Sequence, residues 1–299
     1  MIIVKLKGGL GNQMFQYAFG RNLAIYKNTE MKLDAISGFQ NDAYERKYSL
    51  SCFNIFENFA SREEIAKFKK NGIRKYIYKV SSKLAPYYKR PIVEEQEKFK
   101  FRYDKNMLLI PDNAYLDGYW QNESYFNNIK DVIKREFTFK FPMDHHSQAI
   151  AEKIINSNSV SIHFRRLHGV STDKGTIIHE SVNFHGACPL DYYQATIKNL
   201  LKQVNEPLFF IFSDDYNWAQ ENFKIDYPTT FIDHNGISGD YEDLRLMSLC
   251  KHHIIANSSF SWWGAWLCEN PEKKVFAPKY WDTTKTYIKD ITPASWGRI

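Results

Sequence analysis

The second half of this chain alternates short apolar segments with amphipathic ones, and this alternation limits the possible folds more than any other feature. Apolar strands that alternate with helices form parallel sheets covered on both faces, because each parallel connection needs a crossover. The pattern predicts strands at 159–164, 208–213, 230–232, 253–256 and 274–277, and helices at 190–203, 216–222, 241–250 and from Ser261 onward.

The first half predicts a second unit of the same kind. Residues 2–6 predict a buried strand and residues 12–27 a helix, with a glycine-rich turn between them. Further strands are predicted at 31–34 and 114–120 and helices at 61–80 and 124–136, while the charged segment 86–111 is interpreted as a connection. The expected fold is α/β, with two Rossmann-like domains, residues 1–145 and 146–299, whose parallel sheets face a cleft.

The glycine-rich turn does not have the usual spacing of a nucleotide-binding loop. Residues 8–13 read GGLGNQ, without the GxGxxG of a dinucleotide site or the GxxxxGK[ST] of a P-loop. A turn between a strand and a helix still directs backbone N–H groups toward a ligand above the sheet edge. We therefore interpret it as a glycine loop for some other ligand.

Charge and composition exclude several classes of function. The net charge is +6 over 299 residues, and no basic run is dense enough for nucleic acid. The densest one, residues 67–79, is interpreted as a solvated helix, with an anionic membrane surface as the alternative partner. The four cysteines contain no CxxC pair, which disfavours zinc and a disulfide framework. Without a signal peptide or an apolar run of about 18 residues, we expect a cytoplasmic protein.

Polar residues follow three of the predicted strands, where parallel sheets bind their ligands. Residues 163–166 (HFRR) suit a diphosphate clamp, or are a surface arginine pair. Residues 213–215 (SDD) suit ribose hydroxyls, a base edge or a metal, or cap the next helix. Residues 257–265 (NSSFSWWGA) suit an anion at a helix N-terminus, or contain a plain serine cap. Together they predict a nucleotide-diphosphate pocket without a metal.

Five segments together resemble glycosyltransferase family 11, the α-1,2-fucosyltransferases. They are GGLGNQMFQYAFG, AYLDGYWQNESYF, HFRR, FSDD and EDLRLMSLCKHHIIANSSFSWWGAWL, in this order along most of the chain. The resemblance implies a GT-B architecture, GDP-β-L-fucose as donor substrate, no cofactor, and inverting transfer to a galactoside 2-hydroxyl. It also implies a galactose-containing acceptor in surface glycan synthesis, and a lipid-linked acceptor would bring the protein to the inner face of the membrane.

The resemblance also implies roles for individual residues. Arg165 would hold the β-phosphate, supported by His163 and Arg166, and would act in catalysis. The other implied donor-site residues are Asp214 or Asp215 and Asp243 at the guanine or ribose, Asn257, Ser258, Ser259, Phe260 and Ser261 at the phosphates and fucose, and Gly9, Gly11, Asn12 and Gln13 lining the cleft from the first domain.

One motif departs from the family pattern. Family members usually read HxRRGDY, whereas residues 163–169 here read HFRRLHG, without the aspartate. Candidates for the catalytic base are therefore His168, Asp173, Glu180 and His185. The departure leaves three hypotheses: a fucosyltransferase, a transferase of another GDP-deoxyhexose, and a GDP-sugar-binding protein without transferase activity. For acceptor contacts we consider Tyr119, Trp120 and Gln121, with core packing as the alternative for the two aromatic residues.

Overall fold

The chain folds into two compact units, each with its own parallel sheet. The computed structural model describes residues 1–68, 85–166, 186–233, 239–284 and 289–299. Unit 1 is Met1–Lys140 and unit 2 is Phe141–Ile299, whereas the sequence placed the boundary after residue 145. The predicted α/β class with two Rossmann-like domains is confirmed. No helix within the described ranges is long and apolar enough to cross a bilayer.

Unit 1 is a four-stranded parallel sheet packed against helices. Its described elements are β1 (Ile2–Lys5), α1 (Leu10–Tyr26), β2 (Met31–Asp34), α2 (Arg62–Phe68), β3 (Ile92–Glu94), β4 (Ala114–Asp117) and α3 (Lys130–Glu136). The strand order is β2-β1-β4-β3. Strand β1 lies in the middle, so that the glycine loop after β1 and the turn after β4 leave the sheet next to each other.

Helix α1 is buried along most of its length, because it packs on the sheet with one face and on α3 with another. Met14, Phe15 and Tyr17 are at most 1% exposed. The Tyr17 hydroxyl donates to a carboxylate oxygen of Glu136 on α3 at 2.7 Å, and Arg21 pairs with the same carboxylate at 2.9 Å. Each large apolar side chain buried in this way stabilises the fold by about 1.5–3 kcal/mol.

Unit 2 is a six-stranded parallel sheet with helices on both faces. Its described elements are α4 (His145–Ile155), β5 (Asn158–Phe164), α5 (Leu190–Leu200), β6 (Pro207–Ser213), α6 (Tyr216–Asn222), β7 (Thr229–Phe231), α7 (Asp240–Leu249), β8 (His252–Ile254), α8 (Ser259–Leu267), β9 (Val275–Ala277) and β10 (Gly297–Arg298). The order is β10-β9-β8-β5-β6-β7.

Alternation along the central strands divides the core of unit 2 into two layers. Val160, Ile162 and Phe164 of β5 join a cluster with α5 and α6. Phe210 and Phe212 of β6 point to the opposite face and join a cluster with α4 and α7. Side chains alternate along a strand, so Ser161 and His163 point to the face of the sheet opposite the first cluster.

The structure corrects three predictions about individual elements. The segment 86–111 is not only a connection, because it contains the edge strand β3. The helix expected over 124–136 begins at Lys130, after two 3-10 turns. Asn122 caps its own short turn, and Phe126 has a non-helical backbone at φ −145° and ψ 5°. The strand β10 pairs with β9 near the end of the chain, where no strand was predicted. The helix expected over 61–80 is described to Phe68, and the rest lies outside the described residues.

Candidate functional site

Three strand ends of unit 2 come together at one edge of its sheet. Strands β8, β5 and β6 are neighbours, and the register places Phe164 opposite Ser213. The arginines after β5 and the aspartates after β6 therefore leave the sheet side by side. We call this group of strand ends, together with the first turn of α8, the arginine edge.

Asp214 holds both arginines of the arginine edge. Its Oδ2 lies 2.9 Å from Nη1 of Arg165, and its Oδ1 accepts the backbone N–H of Arg166 at 2.7 Å. The side chain of Arg165 is 35% exposed, so its guanidinium remains accessible to solvent. The pairing orients a cation at the end of β5, where an anionic ligand of a parallel sheet would bind.

The guanidinium of Arg166 stacks on an aromatic ring that the sequence did not single out. Its Cζ lies 3.8 Å from the ring centroid of Trp218 in α6, a cation–π distance. Trp218 also donates its backbone N–H to Asp215 Oδ1 at 3.2 Å, so that Asp215 is the cap of α6. Of the two aspartates after β6, Asp215 therefore caps the next helix, as one of the interpretations of residues 213–215 predicted, whereas Asp214 pairs with arginine. A spacing of three residues from the cap was the only sequence signal for Trp218.

His163 is a buried neutral imidazole behind Arg165. Its ring lies 5.8 Å from that of Phe260, and its Nδ1 has no hydrogen-bond partner among the described residues. Burial, with a smaller effect from the charge of Arg165, lowers the pKa of His163 to about 3. Tyr193 donates its hydroxyl to the backbone oxygen of His163 at 2.9 Å and so fixes the end of β5.

The first turn of α8 brings a helix N-terminus to the arginine edge. Ser258 is the cap, and its Oγ accepts the N–H of Phe260 at 3.3 Å. Ser258, Ser259 and Phe260 are half-buried and Ser261 is buried. The partial positive charge of the helix end therefore lies at a surface that an anion can reach.

The residues around that turn are structural. The Asn257 amide donates to the backbone oxygens of Gly186 at 3.0 Å and Trp281 at 3.3 Å, which fixes the turn between β8 and α8. Trp262 and Trp263 are fully buried, and the indole of Trp262 donates to the Ile291 oxygen at 2.8 Å. The side chains of this turn that remain accessible are therefore Ser258, Ser259 and Phe260, and not the tryptophans.

Other predicted site residues have different positions. Asp243 is half-buried in the first turn of α7, which packs against α8. His168, Asp173, Glu180 and His185 lie outside the described residues, so the assignment of a base stays a prediction. Within the described ranges, no group of three or more His, Cys, Asp or Glu could hold a metal ion.

The glycine loop belongs to unit 1, after β1. Gly8 has φ +78°, in the left-handed region, and Gly9 caps α1 through its backbone oxygen, which accepts the N–H groups of Asn12 and Gln13 at 3.0 and 3.1 Å. Gly11 and Gln13 are buried, and Asn12 and Gly9 are half-buried. The amide of Gln13 bonds to the backbone of Gly8, Lys47 and Ser49, so this side chain supports the loop from inside unit 1.

The comparison with known proteins identifies relatives along the whole chain. The model of glycosyl transferase family 11 matches residues 1–298. An Escherichia coli α-1,2-colitosyltransferase is 35% identical, with 100% of this chain and 99% of the relative covered. The Escherichia coli O-antigen biosynthesis glycosyltransferase WbnK is 32% identical, with 97% and 98% covered. A galactoside α-(1,2)-fucosyltransferase 2 of Rattus norvegicus is 23% identical, with 54% and 49% covered.

Two solved structures share the fold at low sequence identity. The NodZ α-1,6-fucosyltransferase soaked with GDP-fucose has a TM-score of 0.51 at 12% identity, with 89% of this chain and 91% of that chain covered. An Arabidopsis thaliana FUT1 variant in complex with GDP has a TM-score of 0.52 at 9% identity, with 99% and 75% covered. Both are fucosyltransferases with the GT-B fold, and the likeness confirms that fold for this chain.

Proposed function

Because the chain belongs to glycosyl transferase family 11, we propose that it transfers a 6-deoxyhexose from a GDP-linked donor to a galactoside. The specific reaction proposed is transfer of L-fucose from GDP-β-L-fucose to the 2-hydroxyl, with inversion and without a metal ion. The observation that carries the proposal is the arginine edge, where Arg165 lies at the end of β5 in the same group of strand ends as the N-terminus of α8.

The arginine edge suits the departure of a diphosphate. Cleavage of the bond between the sugar and GDP leaves negative charge on the β-phosphate, which Arg165 and the amides of the α8 turn would stabilise. The acceptor hydroxyl attacks from the opposite face, which inverts the anomeric carbon. Its proton leaves late, so that a modest base suffices. We propose the base from His168, Asp173, Glu180 and His185.

A second donor is favoured by one specific observation, the 35% identity with an α-1,2-colitosyltransferase over the whole chain. Colitose is L-fucose without its 3-hydroxyl. A site that hydrogen-bonds the 3-hydroxyl rejects the deoxy analogue strongly, because its buried polar groups would lose their partners. The two donors can therefore be separated by their ratio of kcat/KM.

The environment of the reaction is part of the proposal. We propose cytoplasmic synthesis of a surface glycan, because a relative of 32% identity is an O-antigen biosynthesis glycosyltransferase. The partners would be the nucleotide-sugar donor and a galactose-containing glycan. An acceptor carried on a lipid would place the enzyme at the inner face of the membrane.

The test compares donors with the purified protein. GDP release is measured with GDP-β-L-fucose and GDP-colitose, each with lactose and N-acetyllactosamine and each with and without EDTA, and the product linkage is assigned by NMR. We expect an α-1,2-linked product and equal rates with EDTA. A rate lost in EDTA contradicts the metal-independent mechanism. A kcat/KM tenfold higher with GDP-colitose than with GDP-β-L-fucose would show that colitose, and not fucose, is the sugar transferred. Binding of GDP without any transfer supports a binding protein instead.

A further inference from the structure

The carboxyl edge of the unit 1 sheet, where its strands end, combines two sequence motifs that are not part of the arginine edge of unit 2. The glycine loop follows β1, and the turn at residues 118–121 follows the neighbouring strand β4. The Gln121 amide donates to Oδ1 of Asn12, which joins the two motifs. Asp117 pairs with Lys5 at 2.8 Å and with Lys7 at 2.6 Å across the same two strands. The motifs therefore form one surface of unit 1.

The turn at residues 118–121 is held in an unfavourable conformation. Trp120 has φ +46°, in the left-handed region that residues other than glycine rarely adopt. Its side chain is 1% exposed and packs 4.7 Å from the ring of Phe19, and its Nε1 has no hydrogen-bond partner among the described residues. Backbone strain and an unpaired buried N–H both oppose stability, and such strain persists mainly where function requires it.

Glu95, directly after β3, is the group that holds this turn. Its Oε2 accepts the backbone N–H of Tyr119 at 2.7 Å, and its Oε1 accepts that of Trp120 at 3.0 Å. A Cβ added at Gly118 would lie 2.5 Å from the Cβ of Glu95, so the two backbones approach closely. Burial raises the pKa of Glu95, and the two N–H donors and Lys7 oppose that rise. The carboxylate therefore fixes both peptide groups of the turn at once.

The groups at this surface suit an uncharged, hydroxyl-bearing ligand. Tyr119, Gln121 and Asn12 are half-buried and supply a phenol and two amides, which hydrogen-bond to sugar hydroxyls. Lys7 lies 4.8 Å from the ring centroid of Tyr119 and is paired with Asp117. Lys5 and Lys7 are both paired with Asp117, which reduces the attraction of these two lysines for an anionic nucleotide.

We propose that Glu95 is a positioning residue that fixes the 118–121 turn as a subsite for a neutral sugar of the acceptor. This inference rests on the proposed function, since it assumes that the enzyme uses a glycan acceptor. Trp120, buried beneath the turn, anchors it and does not contact the sugar. Sugar affinity is therefore set by a carboxylate that lies behind the binding groups.

The test separates sugar binding from donor binding. Glu95→Gln keeps the shape of the side chain but leaves one acceptor oxygen, so that one of the two backbone N–H groups faces an amide donor. Binding of lactose and N-acetyllactosamine is measured by saturation-transfer NMR with and without GDP, and binding of GDP by calorimetry. We expect galactoside binding about tenfold weaker than in the wild type, with GDP binding unchanged. Glu94→Gln, an exposed neighbour on β3, is the matched control and should bind as the wild type does.

Gln121→Ala covers the case in which Glu95→Gln does not fold. It removes one of the proposed sugar-binding amides and its half-buried bond to Asn12, and it should weaken galactoside binding alone. Equal galactoside affinity in the folded variants and the wild type overturns the inference, as does a wild type that binds GDP but no galactoside of the panel. A wild type that binds a galactoside but not GDP leaves the subsite standing and instead contradicts the proposed donor.

Discussion

Arg165→Lys tests the central residue of the arginine edge, because it keeps the positive charge but removes the planar guanidinium that can donate to two partners at once. The wild-type guanidinium keeps one nitrogen 2.9 Å from Asp214 and has further N–H groups for a phosphate. A lysine ammonium is a point charge that cannot serve both partners with the same geometry. Loss of one preorganised donor to a developing charge costs about 3 kcal/mol, so we expect kcat to fall about 150-fold.

Stability should change far less than activity. Because the Arg165 side chain is 35% exposed, its pair with Asp214 contributes at most about 1 kcal/mol to the free energy of unfolding. For a folding unit of the size of unit 2, residues 141–299, that corresponds to a shift of about 2–4 °C in Tm. Arg135→Lys, at an exposed arginine of unit 1, is the control and should leave both quantities unchanged.

The assay is steady-state GDP release with saturating GDP-β-L-fucose and acceptor, alongside thermal unfolding followed by circular dichroism. Turnover of the Arg165→Lys protein within threefold of the wild type would refute the assignment of Arg165 to the leaving group. A fall in Tm large enough to unfold the protein at the assay temperature would refute the separation of activity from stability.

Two further predictions concern stability. Gly8→Ala should lower the free energy of unfolding by about 1–2 kcal/mol in urea titrations, since φ is +78° and the new Cβ would lie 2.7 Å from the amide of Asn12. The control Gly9→Ala, with φ −73° and no atom within 4 Å of its Cβ, should change that free energy by less than about 0.5 kcal/mol. Equal losses in the two variants would contradict this account. His163 has a pKa of about 3 when folded and an ordinary one when unfolded, so the unfolded chain binds its proton first as pH falls, and the wild type should lose about 2 kcal/mol from this group between pH 7 and pH 5. His163→Gln should not show that loss of stability in urea titrations at the two pH values, whereas the control His145→Gln, at an exposed histidine, should show it. An equal loss of unfolding free energy between pH 7 and pH 5 in all three proteins would contradict a buried neutral imidazole.

The sequence was most informative where apolar strands end on polar residues. The strands β5 and β6 are continuous apolar runs, and their parallel pairing places Phe164 beside Ser213, so that the predicted arginines and aspartates do meet. The sequence could not distinguish Asp214 from Asp215, because both are carboxylates after one strand. The distinction depends on backbone geometry, which directs Asp215 to the helix and Asp214 to the arginines.

Unit 1 was predicted less completely, because its details depend on contacts between distant segments. The strand β3 has only three residues in a charged segment, too few for a recognisable alternation. Trp120 was considered for both acceptor contact and core packing, and the structure places it in the core at 1% exposure. Glu95 was not singled out at all, since its partners Tyr119 and Trp120 lie 24 and 25 residues away.

The pairing of β5 with β6 has a consequence for how this enzyme can diversify. Seven successive residue pairs, from Asn158 with Pro207 to Phe164 with Ser213, fix the distance between the two strand ends. The relative position of Arg165 and Asp214 is thus set by main-chain pairing and does not depend on the length of chain that connects the strands. Insertions and exchanges between residues 167 and 185 can therefore accumulate without displacing the charged pair. The segment that departs from the family pattern, from which we propose the base, can therefore change while the cation for the departing diphosphate keeps its position.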